Sequence, residues 1–104
     1  MGYDFLPIKE IISRMSVGEE DAIINGLSHK GALIRINAVM FAVKYKCKKN
    51  NVIELIKELL TDNTEVDGYS VSQFSIAALD VLGITKYTGN DENVVELIDD
   101  EFLF

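Results

Sequence analysis

Apolar residues recur along this chain at helical spacing, in stretches separated by short polar or glycine-containing breaks. The most apolar stretch is Gly31–Cys47, GALIRINAVMFAVKYKC. At about 100° per residue, Leu33, Ile36, Val39, Met40, Val43 and Cys47 share one arc of that helix. Ile34, Ala38, Phe41, Ala42 and Tyr45 share a second arc, and two polar seams, Arg35 with Lys46 and Asn37 with Lys44, lie between them. A surface helix carries one apolar stripe. Two stripes predict neighbours on both sides, the position of an inner helix in a stacked array.

The flanking stretches are amphipathic in the ordinary way. Pro7–Ser16 repeats Ile8, Ile11, Ile12 and Met15 at helical spacing, with Asp4 as a cap and Pro7 in the first turn. Gly18 breaks that pattern, and Glu19–Leu27 follows with acids where the helix dipole favours them. Lys48, Lys49 and Asn50 close the central helix, and Asn50 or Asn51 is expected to cap the next. Asn51–Leu60 places Val52, Ile53, Ile56, Leu59 and Leu60 on one face. Thr61–Asp67 is polar and reads as a loop. Tyr69–Ile84 reads as a second long helix, and Asn93–Phe102 as the last.

An internal repeat ties these elements together. NVIELI at Asn51–Ile56 recurs as NVVELI at Asn93–Ile98, a shift of 42 residues. The same shift pairs Gly26 with Gly68, Ser28 with Ser70, Ile34 with Ile76, Val39 with Val81, and Lys44-Tyr45 with Lys86-Tyr87. A period near 40 residues built from helix pairs fits the HEAT and armadillo class. Leu27–Val43, LSHKGALIRINAVMFAV, resembles the HEAT-type turn and inner-helix start through Ile34, Arg35 and Ala38. Leu59–Gly83 resembles the next copy through Asp62, Glu65-Val66, Ala78-Leu79 and Leu82-Gly83. That copy departs in a longer turn and in lacking an arginine equivalent to Arg35. The resemblance implies an all-α fold, a short right-handed α-α superhelix of six helices. It would be one domain over residues 1–104, paired as hairpins at about 5–28, 31–60 and 68–102. It also implies that Arg35 is structural, tying neighbouring repeats through carboxylates or carbonyls. An irregular six-helix bundle is the alternative architecture.

Composition narrows the function classes. A chain of 104 residues with 48% hydrophobic residues, 7 glycines and one proline is long enough for one real core. No apolar run approaches the roughly 18 residues a membrane span needs, and Met1–Leu6 does not open a signal peptide. One cysteine, Cys47, excludes an internal disulfide and fits a reducing, cytoplasmic setting. Net charge is −7 and is segregated: −3 over residues 1–21, +6 over 22–53 and −10 over 54–104. The acidic half argues against nucleic acid as a partner.

Candidate chemistry is sparse. His29, in a polar turn, is expected to be solvated or capping, with no partner in sequence that would make it a general base. Cys47 sits among three alternating lysines, Lys44, Lys46 and Lys48, that could lower its pKa, although its place on an apolar arc favours a packing role. Asp99-Asp100-Glu101 are consecutive and diverge on a helix, and Thr61–Asp67 lacks calcium-loop spacing. No phosphate-binding glycine loop, nucleophile elbow or HExxH motif is present. Ser70, Ser72 and Ser75 read as packing or helix-surface residues, and Phe102-Leu103-Phe104 as an apolar end folded onto the last hairpin. No metal, cofactor or catalytic residue is therefore expected.

The expectation is a non-enzymatic protein-binding module, monomeric or weakly dimeric. Following the resemblance, the shorter second helices line its inner wall and present Glu54, Glu58, Glu96, Asp99 and Asp100 to a basic protein or peptide. An inhibitor or immunity protein that neutralises a basic toxin or nuclease is a narrower alternative, because complementary charge speeds association. A homo-oligomeric structural protein is another. HEAT-like folds include alkylpurine DNA glycosylases, so an enzyme is the rival class. Those enzymes need a basic, aromatic-lined groove, and this chain is acidic and has no tryptophan.

Overall fold

The computed structural model describes residues 7–66 and 68–84. Within them the chain is all-α apart from one small hairpin. The helices are α1 (Ile8–Ser16), α2 (Glu20–Leu27), α3 (Ala32–Lys44), α4 (Asn50–Glu58) and α5 (Val71–Val81). A 3-10 turn, Leu59–Thr61, extends α4, and strands β1 (Glu65–Val66) and β2 (Tyr69–Ser70) pair antiparallel before α5. The expected helix over 92–102, and with it the third hairpin, lies outside the described residues. None of the described helices is long and apolar enough to cross a membrane.

Central α3 is enclosed as its two apolar arcs require. It packs against α1 and α2 on one side and α5 on the other. Ile34, Ile36, Ala38, Val39, Phe41 and Ala42 are buried to 1% exposure or less. The arcs err in three places, one of them Tyr45, which is 40% exposed. Asn37, read as part of a polar seam, is fully buried, and Leu33, read as apolar interior, is 38% exposed. The Asn37 amide nitrogen donates to the Leu33 carbonyl at 2.8 Å, one turn back, while its Oδ1 is buried without a hydrogen-bond partner among the described residues.

Three contacts fix how the helices run. Tyr45, just past the end of α3, donates its hydroxyl to the Ser16 carbonyl at the end of α1, so these two helices are parallel. Arg35, in the first turn of α3, reaches Asp62 and Thr64. The carbonyls of those residues accept from Ser72 N and Val71 N at the start of α5, so α3 and α5 are parallel too. Lys49, flanking the start of α4, pairs at 3.0 Å with Glu20 at the start of α2. The molecule is thus two layers, α1–α3–α5 and α2–α4, running in opposite directions.

The first layer shares one stop signal. Gly18, Lys46 and Gly83 follow α1, α3 and α5 and have φ of +82°, +52° and +79°. In each case the next residue's N–H reaches back five positions: Glu19 to Arg14, Cys47 to Ala42 and Ile84 to Leu79. The residue with positive φ itself donates three positions back, to Met15, Val43 and Asp80 respectively. This is the Schellman arrangement. It ends α3 at Lys44, three residues short of the expected limit at Cys47, because Lys46 takes the left-handed conformation. α2 instead ends in a short 3-10 turn through Ser28 and His29, and α4 in its 3-10 extension.

Two further boundaries differ from the sequence reading. Tyr69 and Ser70 belong to β2, and α5 starts at Val71 because Ser70 caps it. Ser70 Oγ accepts from Gln73 N while Gln73 Oε1 accepts from Ser70 N at 2.7 Å, a reciprocal capping box. The hairpin accounts for the longer second turn. At α4, Lys49 rather than Asn50 or Asn51 stands at the N-cap, and the Asn51 carboxamide accepts from Val52 N.

Candidate functional site

The α2–α3 turn and the end of α4 meet around an open cavity of about 390 Å3. Its floor is apolar, from Leu27, Leu55 and Leu59; Lys30 and Glu58 stand on its rim. One wall is the Arg35–Asp62 pair. Arg35 Nε lies 2.8 Å from Asp62 Oδ2, and its Nη1 donates to the His29 carbonyl at 2.7 Å. Nη2 lies 3.5 Å from Thr64 Oγ1. One guanidinium thereby joins the turn before α3 to the turn before α5.

Asp62 is held in kind. Its Oδ1 accepts from Thr64 N at 3.1 Å. Burial pushes its pKa up, but the hydrogen bonds from Thr64 and the charge of Arg35 outweigh that, so the carboxyl titrates below its ordinary value. His29 is buried rather than solvated, at 8% exposure. Its Nδ1 accepts from Gly31 N at 2.9 Å, which closes the turn into α3 and puts the neutral ring's proton on Nε2.

The expected binding residues divide. Glu54 and Glu58 are exposed and one turn apart on α4, with Lys57 Nζ 4.0 Å from Glu54. Glu96, Asp99 and Asp100, like Phe102–Phe104, lie outside the described residues. Asp21 and Asn25 on α2, with Ser28 just past its end, are exposed, as are Asn51, Glu54 and Glu58 on the parallel helix α4. Sequence reading marked Asp62 as part of the repeat pattern without assigning it a partner, and did not single out Asp21 as a surface acid. Asp62 needs its partner 27 positions away, which no local pattern reveals; Asp21 was legible as an exposed first-turn acid.

Other candidates take structural places. Cys47 does not have a lowered pKa: burial and the nearby Glu20 raise it, against the smaller opposing effect of Lys49. The adjacent lysines point into water, where their fields are screened. Ser72 is buried and its hydroxyl lies 2.9 Å from that of Ser70, while Ser75 donates to the Val71 carbonyl. Among the described residues, no group of three His, Cys, Asp or Glu side chains is placed to hold a metal ion. Comparison with protein-family models, curated proteins and solved structures returned no match for this chain.

Proposed function

We propose that this chain is a non-catalytic protein-binding module, built as a short HEAT-like right-handed superhelix, whose α2–α4 face takes a basic protein or peptide. The observation that carries this reading is the set of exposed acids on that face. Asp21 on α2 and Glu54 and Glu58 on α4 are exposed on neighbouring parallel helices, where Lys49 pairs with Glu20 and Lys57 lies beside Glu54. Exposed carboxylates of one sign steer a complementary partner and raise its association rate.

The repeat reading is supported by the two layers of parallel helices, by the Schellman stop shared by α1, α3 and α5, and by the arginine that spans adjacent turns. The 42-residue sequence repeat makes Glu96 and Asp100 the counterparts of Glu54 and Glu58, which would extend the acidic face in a third hairpin. The test is affinity capture from native lysate with the intact chain and with an Asp21→Lys, Glu54→Lys, Glu58→Lys variant. A basic protein retained by the native chain and released by the variant supports the reading. Equal retention by both forms contradicts it.

A further inference from the structure

We infer that the turn between α2 and α3 is a pH-sensitive latch, closed while the His29 ring is neutral and opened when the ring is protonated. The inference stands on the geometry of this turn and is independent of what the α2–α4 face binds.

His29 holds the turn at two points. Its Nδ1 accepts from Gly31 N at 2.9 Å, and its carbonyl accepts from Arg35 Nη1 at 2.7 Å. The second contact ties the turn to the far side of the fold, because Arg35 Nε lies 2.8 Å from Asp62 Oδ2. His29 is only 8% exposed. Its ring packs so closely on Gly31 that a Cβ there would lie 3.3 Å from Nδ1 and 3.5 Å from Cε1. A side chain at position 31 would crowd the ring, so the glycine is part of the ring's seat.

A neutral imidazole accepts through its unprotonated nitrogen, whereas imidazolium donates from both. Protonation therefore sets an Nδ1–H against the Gly31 N–H, two donors face to face with little access to water. An unmatched polar contact of this kind is expensive where solvent cannot relieve it. The ring escapes it by swinging out, and the bond that closes the turn is lost.

Charge around the ring does not replace that bond. Among the described residues, the ionisable groups that line the cavity with His29 are Lys30 in the same turn, Arg35 on α3, Glu58 at the end of α4 and Asp62 in the turn after it. Two are cations and two are anions. The C-terminal end of α2 and the N-terminal end of α3 flank the same turn with opposite partial charges. What distinguishes the two states of the ring is whether Nδ1 accepts.

The test is NMR of the isotope-labelled full chain, with no partner present, from about pH 7.5 to 5, across which an ordinary imidazole changes charge. The chain has one histidine, so the ring signals report this residue alone. As the ring protonates, the Gly31 amide should shift with the same midpoint. Its protection against solvent exchange should fall about threefold or more, the loss of one hydrogen bond. In His29→Asn, the carboxamide oxygen accepts from the backbone two residues on and does not titrate. Gly31 in that variant should stay protected, with an amide shift that does not move across the range. In His29→Ala, Gly31 should be unprotected at both ends of it.

A ring that titrates while Gly31 stays protected overturns the inference. So does a ring that stays neutral down to pH 5. A Gly31 amide that moves with the same midpoint in His29→Asn would assign the change to another group and overturn it as well. The native chain and His29→Asn decide the question even where His29→Ala does not fold.

Discussion

The Arg35 guanidinium meets acceptors from two loops, and its carboxylate partner is itself held by Thr64. Its side chain is 13% exposed and that of Asp62 19%. Removing one member of such a pair leaves the other poorly solvated. Arg35→Ala should therefore cost about 2–3 kcal/mol in urea denaturation, somewhat less than breaking a fully buried pair. A loss under about 0.5 kcal/mol, the range of an ordinary surface substitution, would contradict this role.

The same pair sets a pH dependence. Asp62 has a folded pKa below its ordinary 3.8. The unfolded chain therefore takes up this proton first as pH falls. The stabilisation is complete above the ordinary value and disappears as pH falls through the folded one. Melting temperatures of the native chain and Asp62→Asn should differ at pH 6 and converge below pH 3.8. A gap that persists unchanged to pH 2 would assign the stabilisation to something other than ionisation. Both residues stand out in the sequence as parts of a repeat pattern. Their pairing does not, since it depends on which turns the stack brings together.

At the scale of elements, the apolar periods of α1 through α4 were largely readable because burial follows helical spacing, but Ile8 and Leu60, read as members of apolar faces, are exposed at the helix ends. The ends were less so. Gly18 and Gly83 announce a stop, but Lys46 performs the same one without announcing it. A non-glycine residue in the left-handed region costs roughly 1–2 kcal/mol, partly offset by the greater unfolded-state entropy of glycine. Lys46→Gly should stabilise the chain by about 0.5–1 kcal/mol, read from the urea midpoint; destabilisation would mean the lysine side chain is needed there. The Ser70–Gln73 capping box was present in the sequence as S-x-x-Q, yet the apolar run through Tyr69 extended the expected helix past it.

Gly26 was invisible as a packing residue. A Cβ there would sit 2.7 Å from Met15 Sδ and 2.9 Å from Ala38 Cβ, so α2 approaches α1 and α3 closely at this point. Gly26→Ala gains helix propensity but must push these helices apart. We expect a net loss of about 1–2 kcal/mol by thermal or chemical denaturation. A stabilised variant would show that the layers yield easily.

For the whole molecule, charge and shape act together. The segregated charge was legible from the sequence, while the surface that displays it was not. Parallel α2 and α4 place exposed acids distant in sequence on neighbouring helices, with a cavity at their shared end. The +6 segment supplies the inner helix and its flanking turns; Lys46 and Lys48 are exposed on the turn after α3, while Lys30 is exposed at the cavity.

The most direct measurement of the central claim is the association rate of the captured partner with the native chain and with Glu54→Lys, Glu58→Lys, across 0.05–0.5 M salt. Steering by the acidic face predicts a native rate that falls by tenfold or more with salt, and a variant rate that is slow and nearly salt-independent. Equal rates with the same salt dependence would place the partner on another surface.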